Sequence, residues 1–454
     1  VLGLGLDAVP SALRAAVQEG QAALDAGDFE TALAAYRRGY LYQPWADARL
    51  AALVEAEMLA GDYPAAGRDL ARLAGRRPLS PDEMVWWGNI YAGQGRMDEA
   101  ASVWERAWTA GAINPQALEA LARHYLGQGD ERRARAVLEE LARLGTGEAD
   151  LLVRLGLMQA FDAPSQAIQT LAQAAVIAPD EAPRLAPMLE TLEGAEAEPP
   201  GLRSTRLGVA LLQMGELELA ETAFARAVAY NPAYGEALAY LAYTRAALDR
   251  PALSAAEQAV AISPENPTVH YLAGQTWKLL GRPIEARLAF EQAFDLDRSN
   301  PVFAVEIAST HRMQAQHASA EAWMLEAVRL SGDDFRFRLL LAQFYVDDEY
   351  RLAEEGLPRA LALVAEEPDS AEAHATLGWA YFLLGRLPEA FASLGRALVL
   401  DPELPRANAH WAAMLESQGR LSEAIGYYQR ASELDPDGPF GAFARRALER
   451  ISES

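Results

Sequence analysis

Six histidines, a few adjacent carboxylates and one lysine are the residues of this 454-residue chain that could support catalysis or metal binding. The histidines are His124, His270, His311, His317, His374 and His410; none stands in an HExxH run, and no two share a helical face at metal-ligating spacing. Asp347–Asp348, Glu354–Glu355 and Glu366–Glu367 have the composition for calcium or general acid–base work, but adjacent acids usually mark a solvated turn or helix face. Gly93-Gln94-Gly95 and Gly127-Gln128-Gly129 look like phosphate-cradling loops, yet no strand pattern precedes either. Cysteine is absent, which excludes disulfides, thiol catalysis and thiolate metal sites and fits either redox compartment. The expectation is a non-enzyme with no catalytic residues, no metal and no cofactor.

Composition narrows the partners. Net charge is -24, from 40 basic and 64 acidic residues, and residues 1–200 and 201–454 each carry about half of it. No basic stripe exists to neutralise phosphates, so nucleic acid is not expected. The acidic surface instead favours basic partners. Apolar residues make up 51% at a mean hydropathy of -0.08, and no run reaches the roughly 18–20 residues that span a bilayer. The chain opens with VLGLGL and not with Met. A trimmed start, a processed signal and the stub of a membrane anchor would each begin this way, so membrane association through a preceding segment stays open. Compartment and oligomeric state leave no mark on the sequence.

The elements that must position these residues follow a 34-residue period. In residues 371–404, Leu377, Gly378, Tyr381, Gly385, Ala390, Leu394, Ala397 and Pro402 mark the frame; one period on, Trp411, Ala412, Leu415, Gly419, Ala424, Tyr428, Ala431 and Pro436 fall on the same positions. Each unit reads as two amphipathic helices and a turn. The frame gives 13–46, 47–80, 81–114, 115–148, 149–181, 201–234, 235–266, 267–300, 301–334, 335–370, 371–404 and 405–438. Unit 149–181 loses about one residue near Asp162–Pro164, 235–266 loses two near Asp249–Pro251, and 335–370 gains two beside Asp347, Asp348 and Glu349. Residues 1–12 lead in, 13–181 form a first array of about five units, and 182–200 is a Pro/Glu-rich linker or irregular half-unit with a short helix near Arg184–Leu192. Residues 201–438 form a second array of about seven units, and 439–454 a capping helix and tail, needed because no neighbour hides the last core.

This spacing, with its small residues and closing proline, resembles the tetratricopeptide repeat. The resemblance covers about nine tenths of the chain and implies an all-α, right-handed α-solenoid of about twelve helix–turn–helix units with a C-terminal capping helix. It further implies a concave groove lined by first helices, holding a peptide, a partner helix or a protein subunit, and it does not imply catalysis. Positions 2, 5, 9 and 12 of each unit then face the groove. In the second array they include Tyr243, Tyr271, Gln275, Lys278, Ser309, Arg312, Gln343, Trp379 and Phe382. Aromatics there suggest a contact surface, and Gln275, Lys278 and Arg312 suit a backbone or carboxylate. In the first array the same positions are mixed and polar, among them Gln21, Glu55, Asn89, Glu119, Arg123 and Leu157. The Lys-and-Asn carboxylate clamp and the asparagine ladder known in the family are both missing, since Lys278 is the only lysine and Asn89 the only asparagine at position 9. The expected function is a non-catalytic scaffold that binds a protein or peptide, with the second array as principal binder. A tethering subunit of a membrane-associated complex and the sensor arm of a larger regulator are the alternatives.

Overall fold

The computed structural model describes residues 8–194, 197–436 and 438–452. VLGLGL lies outside the described residues. Within them the chain is all-α, with 26 α-helices and no strand. Each frame unit holds two helices, as in Pro267–Leu279 with Pro283–Leu296 and Ala371–Leu383 with Leu387–Leu400. The chain divides into two compact units, Val1–Glu216 and Leu217–Ser454, and the division falls C-terminal to the stretch 182–200. That stretch contributes the helix Ala182–Leu192, with Leu185 and Met188 fully buried.

In several units helix pairing rests on a glycine at position 8 facing a large residue near position 24. A methyl group built on Gly378 would stand 2.6 Å from Leu394 Cγ and 2.8 Å from its backbone nitrogen. On Gly274 it would stand 2.5 Å from Phe290, on Gly156 2.5 Å from Leu171, and on Gly88 2.3 Å from Trp104. Those partners are among the most deeply buried side chains, with Phe290, Leu171 and Leu394 at 0% exposure. The missing Cβ is therefore what lets the second helix lay a large side chain across the first.

Turns are as regular as the cores. Position 15 adopts the left-handed backbone, with Gly281 at φ 69° and Gly385 at φ 73°. Three units place Asp249, Ala315 and Glu349 there at φ 58°, 55° and 51°, against the L-residue preference. The two residues gained in 335–370 are taken up by a wide five-residue turn, Leu352–Gly356, before the second helix Leu357–Glu366. In three units position 4 ties the first helix to the loop before it. His270 Nε2 and His374 Nε2 donate to the carbonyls of Pro264 and Pro368 at 2.7 and 2.9 Å, and Asn408 Nδ2 donates to Pro402 at 3.0 Å.

The capping helix Pro439–Ser452 buries Ala444 and Ala447 on the last core and packs Phe440, Phe443 and Leu448 against it. In the first unit Glu57 is an outlier: 2% exposed, with one carboxylate oxygen unpartnered and Arg37 3.6 Å from the other. Burial, then repulsion from Asp69, pushes its pKa up to about 7, with Arg37 pulling the other way.

Three outcomes follow. Gly378→Leu costs about 1–3 kcal/mol by overpacking, whereas Gly426→Ala, where no heavy atom lies within 4 Å, leaves the melting temperature unchanged or raises it. Ala315→Gly relieves the left-handed strain and stabilises by about 0.5–1 kcal/mol, read by chemical denaturation. The raised carboxyl of Glu57 makes the folded state bind the extra proton, so stability falls as pH rises from about 5 to 7 and is flat above. Glu57→Gln removes that slope and gains about 1–3 kcal/mol at pH 8; an unchanged slope would place the proton elsewhere.

Candidate functional site

The second unit contains a cleft of about 620 Å³, within the range of ligand sites. It runs along the first helices Pro301–Met313, Phe335–Asp347, Ala371–Leu383 and Pro405–Ser417 and ends on the capping helix. Ser309, Arg312, Gln343 and Trp379, drawn from three repeats, converge on it. Repeats separated by a whole period deliver their position-9 and position-12 side chains to one surface because the first helices stack side by side.

The other predicted groove residues lie outside this cleft. Tyr271 is half-buried between Phe290 and Phe303, with ring centroids at 5.9 and 5.7 Å. Burial raises its phenol pKa, and Gln275 hydrogen-bonds the hydroxyl. Lys278 Nζ is held by Glu306 at 2.7 Å across successive repeats. Phe382 stacks on Trp379 at 4.9 Å, and Tyr243 is half-buried.

Electrostatics inside the cleft are nearly closed. Arg312 grips Asp348 with two bonds, Nε to Oδ2 at 2.9 Å and Nη2 to Oδ1 at 2.5 Å. Burial opposes the charge on Arg312, and Asp348 more than restores it. Arg406, its side chain only 9% exposed, bonds Asp347 at 2.8 and 3.2 Å and lies 3.4 Å from Glu372 and 4.6 Å above the Phe440 ring. Burial raises the carboxyl pKa of Glu372 while Arg406 draws it down. His410 stacks on Trp379 at 4.1 Å and 9°, and burial, reinforced by Arg406, holds its imidazole well below 6.5, so it is neutral at pH 7. Arg446, exposed on the capping helix, is the lining cation with no carboxylate partner among the described residues.

Ser309 has no basic partner among the described residues, and the ring nitrogen Nδ1 of His410 is sealed from solvent. Among the described residues no group of three or more His, Asp or Glu is placed to hold a metal ion. The sequence marks His410 only as an isolated histidine, and it does not assign Arg406, Phe440, Phe443 or Arg446 to a groove. Arg406 stands at position 2, a groove position, and was findable there. The two phenylalanines read as cap residues, and they also wall the cleft.

Tetratricopeptide-repeat profiles match residues 371–404, 52–117 with 205–268, and 412–440. No curated protein matches the sequence. Among solved structures the chain is similar to yeast Tom70 at 15% identity and a TM-score of 0.42, covering 98% of this chain and 97% of that one. It is also similar to the Cut9–Hcn1 hetero-tetramer of the APC/C, at 13% identity, 96% coverage of each chain and a TM-score of 0.38. The repeat protein YrrB, described as having an unusual peptide-binding site, matches over 44% of this chain and 100% of its own at 17% identity, with a TM-score of 0.28.

One outcome tests the cleft's wiring. Asp347→Asn leaves the buried Arg406 guanidinium short of charge and costs about 1–3 kcal/mol. Exposed Asp369→Asn, whose partner Arg396 is half in solvent, changes the unfolding free energy by less than about 0.5 kcal/mol.

Proposed function

We propose, from the premise that this chain is a tetratricopeptide-repeat protein, that it is a non-catalytic scaffold whose second unit holds a protein or peptide partner in the cleft along its first helices. The repeat fold is typically an interaction scaffold. The observation that carries the reading is convergence: side chains at groove positions of three repeats, with the aromatic wall of the capping helix, border one cleft large enough for several ligand residues. Gln343, whose Nε2 already donates to Glu372 at 3.2 Å, offers its side-chain carbonyl, and Ser309 its hydroxyl, to an extended backbone. Trp379, Phe440 and Phe443 supply apolar contact. Arg446 stands free to meet a carboxylate of the ligand.

Arg312 and Arg406 play a different part in this reading. Their carboxylates are already in place, so they hold the first helices in register and keep the cleft open before the ligand arrives. Less ordering is then left to be done on binding.

Peptides selected from a displayed library against the full chain test this. Ser309→Trp fills the cleft while removing no packed side chain, and it weakens the selected peptides by tenfold or more at an unchanged melting temperature. Equal affinity for both proteins would move binding away from this cleft.

A further inference from the structure

The first unit holds a cleft of different chemistry. It lies between the helices Asp47–Leu59 and Pro81–Gly93 and the turn before Pro115, and encloses about 240 Å³. Its surface is apolar where Met58, Leu59, Trp86 and Ile113 meet, with Leu59 48% and Ile113 52% exposed. Its charged lining residues are Glu55 and Asp82 alone. Both are exposed, and neither has a cationic partner among the described residues. In the second unit's cleft, by contrast, Glu306, Asp347 and Asp348 are each matched by a lysine or arginine.

We propose that this cleft docks a basic amphipathic segment of a protein partner. An arginine or lysine side chain sets its head between Glu55 and Asp82 and lays its stem along Trp86. A neighbouring apolar side chain covers Leu59 and Ile113. Three features select this occupant. Two unmatched carboxylates beside an indole attract a cation and repel an acidic peptide. The apolar floor takes the methylene stem of the same residue, which a purely polar ligand would leave wet. The volume falls below that of small-molecule sites and suits one or two side chains. The chain's charge of -24 draws such a segment in from a distance. This site is independent of the second unit's cleft, and either assignment can fail alone.

Fluorescence anisotropy on the full chain tests it, with a fluorescein-labelled peptide of alternating leucine and arginine and its leucine–glutamate counterpart. The arginine peptide binds and the glutamate peptide does not. Glu55→Gln with Asp82→Asn weakens binding by about tenfold or more, and Leu59→Ser with Ile113→Ser weakens it too. Glu257→Gln with Glu265→Gln removes the same charge from exposed residues of the second unit and stays within about twofold; Ser309→Trp also leaves binding unchanged. Equal losses in the two charge-matched pairs would reduce the effect to net charge and overturn the proposal. So would wild-type affinity in the Glu55/Asp82 variant, or no binding of the arginine peptide at low salt.

Discussion

The close approach of two helices inside each repeat is the contact on which the rest of this structure depends. Where position 8 carries no side chain beyond a methyl group, the first helix can accept a tyrosine, tryptophan, phenylalanine or leucine of the second across its backbone. Gly88 beneath Trp104 and Gly274 beneath Phe290 show how little room remains. That approach commits one face of the first helix inward. The faces left over, at positions 2, 5, 9 and 12, either pack on the next first helix or stand open. The candidate cleft is bordered by both kinds: Trp379 stacks on His410 of the next first helix, while Ser309 makes no ion pair among the described residues.

Ion pairs between repeats then hold these faces in place. Lys278 with Glu306, Arg312 with Asp348 and Arg406 with Asp347 join residues 28, 36 and 59 positions apart in sequence. Each links a first helix to another repeat, and each is at least partly withdrawn from water, where charge pairing is screened less. Truncating one member costs more than the pair is worth, because the other stays behind unpaired. The cleft is thereby stiffened by paired charges, while Ser309 and Arg446 on its lining have no ionic partner among the described residues.

Much of this was legible in the sequence. The period located the helix pairs, the glycine positions located the tight contacts, and length changes fell at turns, as with the two extra residues that became the wide turn Leu352–Gly356. Of the nine residues that the family resemblance assigns to a groove, Ser309, Arg312, Gln343 and Trp379 line one cleft. What register cannot specify is how far each first helix leans on the next. Tyr271 shares its position type with open residues but lies between Phe290 and Phe303, and Lys278 is spent on Glu306. The double role of Phe440 and Phe443 was hidden for the same reason, since a capping helix outside the period carries no groove register.

Hydrogen–deuterium exchange of the full chain, with and without a saturating peptide selected against it, bears most directly on the claim that the cleft is the binding surface. Added protection is expected in Pro301–Met313, Phe335–Asp347, Ala371–Leu383 and the capping helix Pro439–Ser452, with the second helices Leu357–Glu366 and Leu387–Leu400 unchanged. Protection confined to those second helices would contradict it and transfer recognition to the opposite face of the repeats.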